Sequence, residues 1–156
     1  MSRHLLDAAV PLPSGLALIK AFCGTIGIMC AIYCFFVLGP ALETRYRPVL
    51  SKLTILSVDE VTSETSMVRA EFTKLRNCEY MGIAWYRGSE ANDFERISMI
   101  PVKDPDDTSS PNRAVGTQRV GPWRLTMPAG EVRQNSFVQV FHRCHPLWTT
   151  MTRFYP

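Results

Sequence analysis

Asparagine never stands two residues before serine or threonine in this chain of 156 residues, so no N-glycosylation acceptor marks its compartment. A glycine-rich phosphate loop is also missing, which removes the common nucleotide-cradling motifs. Histidine is scarce: three in all, His4 in the tail and His142 with His145 near the C-terminus. No serine or cysteine comes with an evident base and orienting acid, so the expectation is a protein without catalysis. Charge of one sign is not concentrated anywhere. The chain has 17 Lys and Arg against 14 Asp and Glu, a net charge of +3, and the 15 and 13 of these that follow Pro40 are spread evenly. A nucleic-acid surface would gather its basic residues on one element, so no nucleic-acid partner is expected. Nothing in the chain calls for a cofactor.

What is present is a long apolar run, Ala21 to Leu38, eighteen residues without a charge between Lys20 and Gly39-Pro40. As a helix it is roughly 27 Å long, the thickness of a bilayer's hydrocarbon core. The reading is a transmembrane helix over 20–39, after a flexible tail over 1–19. A cleaved secretory signal competes for the same residues, with Gly39-Pro-Ala41 as its small-residue site. The run exceeds the roughly 7–15 residues of a signal core, and proline between the small residues disfavours cleavage. An uncleaved anchor is preferred.

Within the anchor Cys23, Gly27 and Ala31 recur at four-residue spacing. Small residues so placed let two helices approach closely in lipid, a candidate packing stripe for a homo-oligomer or another membrane helix. Flanking charge does not orient the span, since Arg3 and Lys20 precede it and Arg45, Arg47 and Lys52 follow.

After a linker over 40–52 the period shortens to two. Val68, Ala70 and Phe72 alternate with Arg69, Glu71 and Thr73; Met81, Ile83 and Trp85 share a face; Trp123, Leu125 and Met127 share another. With segments at 53–58, 94–102, 136–144 and 148–155, about seven short strands fill 53–156. No helical period survives ten residues there. Seven such strands indicate an all-β domain, an immunoglobulin-like β-sandwich. The segment from Lys103 to Ala114 reads as an exposed loop, and Asp104, Asp106 and Asp107 in it offer hard oxygens for calcium, although a solvated acidic loop explains them as well.

Cys78 falls where the second strand gives way to the third, and Cys144 at the end of the sixth. In an immunoglobulin-type sandwich those positions lie at one end, so a disulfide is geometrically allowed, with Trp85 able to pack nearby. A metal site built from Cys78, His142, Cys144 and His145 is the competing arrangement, and free thiols a third. A cysteine pair in a small tethered domain favours the disulfide, and the disulfide favours a head outside the cytoplasm. The sixth strand is apolar on both faces, so something covers its outer side. That makes Phe137, Phe141 and Trp148 a candidate partner face, with folding-over of the terminal segment as the alternative. Leu147 and Trp148 are also placed to reach lipid headgroups.

The segments Lys74-Leu-Arg-Asn-Cys78, Gly121-Pro-Trp123 and His142-Arg-Cys-His-Pro-Leu-Trp148 resemble those of small single-pass membrane proteins of bacteriophages and prophages. The resemblance spans the domain from about residue 50 onward. It implies a bacterial envelope setting and carries over no catalytic residue. The functional expectation is a membrane-anchored β-sandwich that binds a protein partner at the bilayer, its head in the periplasm. A helix-driven pore or lysis element regulated by the β-domain is the alternative.

Overall fold

From Gly15 to Tyr46 the chain is one α-helix, α1, in a computed structural model that describes residues 14–103 and 110–155. The chain divides into two units between Leu38 and Gly39.

In the first unit Ser14 caps the helix, its Oγ accepting from the Ala17 N–H at 3.3 Å. Every described side chain is exposed, and the segment is long and apolar enough to cross a membrane. Thr25 returns its hydroxyl to the Ala21 carbonyl at 2.9 Å, so this polar group needs no external partner. Cys23, Gly27 and Ala31 lie along one exposed stripe, and Cys23, Cys30 and Cys34 are free thiols. The expected tail over 1–19 differs at its end, since 15–19 is already helical; residues 1–13 lie outside the described part.

The second unit begins with the last turns of α1. The expected linker over 40–52 is helical as far as Tyr46, straight through Pro40. Proline forfeits its own bond to the carbonyl four residues earlier, a local loss that packing further along can offset. Here Thr44 donates its hydroxyl to the Met151 carbonyl at 3.2 Å, and Arg47 N–H closes onto Glu43 O at 2.8 Å.

The head is two antiparallel four-stranded sheets. Its strands are β1 (Thr54–Thr62), β2 (Thr65–Lys74), β3 (Glu79–Gly88), β4 (Phe94–Arg96), β5 (Met99–Pro101), β6 (Gly116–Leu125), β7 (Ser136–Arg143) and β8 (Thr150–Phe154). One sheet has the order β1-β2-β6-β5, the other β4-β3-β7-β8. A single turn of helix, α2 (Ala129–Val132), links β6 to β7. The segment expected as one strand over 94–102 is two short strands in different sheets. The Ile97 N–H bonds to Trp85 O on one sheet, and Ser98 O accepts from Thr126 N–H beside the other. The chain changes sheets between those two residues.

The core lies between the inward faces: Val68, Ala70, Trp85, Trp123, Leu125, Val138 and Val140 are buried, with Leu53 and Ile55 from the first strand region. Trp85 meets Trp123 edge-on at 6.0 Å and donates its indole N–H to Ser136 Oγ at 2.9 Å. Of the four register shifts between the described strands, two lie beside the core. One, between Tyr80 and Gly82, turns Met81 outward, where it is exposed, and Tyr80 inward opposite His142. Met81 therefore does not share the face of Ile83 and Trp85. The other lies where β6 faces Val68 and Ala70, at Gly121. Gly121 has φ +91°, and a Cβ there would sit 2.6 Å from Val68 O, so only glycine fits.

Candidate functional site

Cys78 and Cys144 are joined in a disulfide with Cα atoms 4.5 Å apart. The bond lies one position outside the Glu79–Arg143 pair, closing the rim of the β3–β7 ladder. The metal alternative fails on this point, because both sulfurs are spent on each other. Among the described residues no group of three or more ligating side chains could hold a metal. Asp104, Asp106 and Asp107 lie outside the described residues. Trp85 sits opposite Val138, six positions along the strand from Glu79, and it is Tyr80 and His142 that lie nearest the bridge on the inward side.

Phe137 is not part of a partner face. It is fully buried on the outer side of its sheet, stacked on Tyr86 at 4.9 Å and met by Phe94 at 5.4 Å and Tyr155 at 5.9 Å. The covering comes from Phe94 of β4 and Tyr155, the residue after β8. Phe141 is half-buried. Trp148 belongs to a different cluster, in the turn between β7 and β8.

That turn grips the end of α1 through Glu43, whose side chain is only 10 % exposed. Its Oε2 accepts from Thr150 Oγ1 at 2.7 Å and Trp148 Nε1 at 2.8 Å, and lies 3.3 Å from His145 Nε2. Oε1 takes the Arg76 guanidinium at 2.8 Å. Burial alone would raise this carboxyl's pKa. The hydrogen bonds from Thr150, Arg76 and Trp148, with the charge of Arg76, outweigh burial and hold it at about 2. Gly39 completes the grip: a Cβ there would stand 2.7 Å from the Trp148 ring. No charge or periodicity in the sequence marks this cluster.

Between the two sheets lies a mostly apolar cavity of about 250 Å³, bounded by Phe72, Lys74 and Trp123 on one side and Tyr80, Ile83 and His142 on the other. Lys74 is 2 % exposed, and its ammonium donates to Cys78 O and Arg113 O, both at 2.8 Å. Burial lowers its pKa and raises that of the Tyr80 hydroxyl. His142 is 3 % exposed, meets Tyr80 edge-on at 5.9 Å, and has no hydrogen-bond partner for Nδ1. Burial first, then the Lys74 charge, lowers its pKa to about 4. The sequence held a signal for both. Lys74 continues the inward parity of Val68, Ala70 and Phe72, and His142 that of Val138 and Val140.

The pKa of His142 sets a pH dependence. Its folded value lies below the unfolded 6.5, so its contribution is complete above that pH and is lost as pH falls towards 4. The full loss amounts to about 3 kcal/mol. Urea midpoints measured from pH 7 to 5 are expected to fall steeply for the native chain and to be nearly flat over that window in His142→Phe. An equal slope in both would show that another group titrates.

Comparison of the chain with protein-family models, curated proteins and solved structures returns no match. The geometry still defines a class: a disulfide-closed head of two antiparallel sheets, in a chain with, among the described residues, one helix long and apolar enough to span a bilayer.

Proposed function

We propose that this chain is a membrane-anchored, non-catalytic binding module whose immunoglobulin-like head is presented outside the cytoplasm, in the periplasm of a bacterial envelope. The observation that carries the reading is the Cys78–Cys144 bond in a chain that also has a membrane-length helix. Such bonds persist in oxidising compartments and are rare where thiols are kept reduced. The strand orders support the immunoglobulin-like sense. Lettered in chain order, β1-β2-β6-β5 corresponds to A-B-E-D, and β4-β3-β7-β8 to the C-F-G sheet with one added edge strand. The resemblance to phage and prophage membrane proteins agrees with that setting.

The anchor acts by confinement, since holding the head at the bilayer raises its effective concentration towards a protein partner there. On the outer face of the β3–β7 sheet the accessible aromatics are Phe94 and Tyr155, each at least half exposed, and these are the contact residues we assign to that partner. Leu147, also exposed, is the residue of the β7–β8 turn best placed for lipid headgroups.

Thiol labelling of intact cells tests sidedness and pairing together, with Cys23, Cys30 and Cys34 replaced by alanine. A membrane-impermeant maleimide is expected to leave the head unmodified until a reductant is added, and then to label both cysteines. Labelling that requires permeabilised cells and no reductant would place the head in the cytoplasm and end this reading.

A further inference from the structure

Lys74 is a buried cation that the described residues do not neutralise. Its two bonds go to uncharged carbonyls, and no carboxylate among those residues lies within ion-pair distance of it. An ammonium has three N–H donors, so one is left over. His142 brings a buried polar atom without a partner, Nδ1, to the same chamber. Buried polar atoms are almost always paired, by protein, water or ligand, and buried charge most of all. Tyr80, Lys103, Ser110 and Arg113 also border the chamber, but most of its wall is apolar, with Phe72, Ile83 and Trp123 the largest surfaces. A mostly apolar chamber bordered by cations, one of them the buried Lys74, is complementary to an amphipathic anion.

Size and charge narrow the class. A cavity of about 150 Å³ holds benzene, so 250 Å³ takes a ligand of about ten non-hydrogen atoms. The spare Lys74 N–H and, in the Nδ1–H tautomer, His142 are two buried donors, matching the two oxygens of a carboxylate; a phosphate dianion asks for more buried donors than these. We propose that the cavity between the sheets binds a small monocarboxylate with an apolar body, its carboxylate on Lys74 and His142 and its tail against Phe72, Ile83 and Trp123. This goes beyond the role proposed above, because it holds for the head on either side of a membrane and whether or not a protein partner exists.

Octanoate has the required size and charge, and octanol is its uncharged counterpart. The full chain in phosphatidylcholine nanodiscs is titrated with each, following tryptophan fluorescence, since Trp123 lines the cavity and Trp85 touches it. Octanoate is expected to give a saturable change and to bind at least tenfold tighter than octanol. Lys74→Met should erase that preference, and Val120→Phe, which fills the cavity from β6, should remove the saturable signal for both ligands. Should Lys74→Met not fold, His142→Phe is the second variant, expected to reduce the preference severalfold. A signal that rises only with partition into the bilayer and is unchanged in Val120→Phe would overturn the proposal. So would equal affinity for octanoate and octanol, or no binding at all.

Discussion

Replacing Cys78 and Cys144 together by serine should lower the thermal midpoint of the head by about 15–25 °C. The bond closes a loop of 66 residues, and the chain-entropy estimate for such a loop is roughly 4 kcal/mol. For a domain of this size each kcal/mol moves the midpoint by several degrees. Against a typical net stability of about 5–15 kcal/mol, the bond separates a head that stays folded at growth temperature from one that barely does. Its position adds to the effect. Lys74 donates to the carbonyl of Cys78 itself, and the Cys78 N–H returns to Arg76 O at 3.0 Å, so releasing the bridge frees the turn that holds a buried ammonium. Calorimetry or circular dichroism on the full chain, with and without reductant, provides the check. The native chain with reductant should approach the midpoint of the serine variant, and the variant should not respond to reductant. A fall of only a few degrees would mean that the sheets hold the rim without the bond.

Much of this architecture was legible because it is written in local periods. The anchor is an uninterrupted apolar run, and β2, β6 and β7 bury the residues that alternation assigns to them: Val68 and Ala70, Trp123 and Leu125, Val138 and Val140. The cysteine pair was legible for a different reason. Both residues sit at strand ends, where two antiparallel neighbours finish together.

The errors came where a non-local contact overrides the local signal. Alternation becomes legible in β6 only at Trp123, yet the strand runs from Gly116 through Gly121-Pro122, because the register shift opposite Val68 and Ala70 absorbs the extra residue. Pro40 reads as a helix end, yet the helix continues because Glu43 and Thr44 are tied to residues more than a hundred positions away. Alternation runs unbroken through Ile97 and Ser98 while the chain passes from one sheet to the other, a change of partner that leaves no mark on side-chain parity. The cover of Phe137 is hidden for a related reason. Parity shows that Phe137 points away from the sandwich core, but what covers it comes from β4 and the C-terminal end.

Glu43→Ala should be the most damaging single substitution in the last turns of α1, costing about 3–5 kcal/mol, as when one partner of a buried ion pair is removed. The carboxylate takes hydrogen bonds from Arg76, Trp148 and Thr150, and its loss strands all three donors at once. Glu43→Gln separates charge from shape, since an amide keeps an acceptor but gives nothing to the Arg76 charge, so it should fall between the native chain and alanine. The pH dependence follows the sign of the shift. The folded carboxyl titrates near 2 against 4.5 unfolded, so its contribution is complete above pH 4.5 and fades as pH falls towards 2. At full loss this is about 3 kcal/mol. That window adjoins the one set by His142, so denaturation midpoints collected from pH 7 to 2 should fall almost continuously, an upper step from His142 running straight into a lower step from Glu43. Glu43→Gln should remove the lower step and leave the upper one, and His142→Phe the reverse. If Glu43→Ala unfolds with the native midpoint and both steps persist, the grip of the β7–β8 turn on Glu43 contributes nothing to holding the helix end against the head.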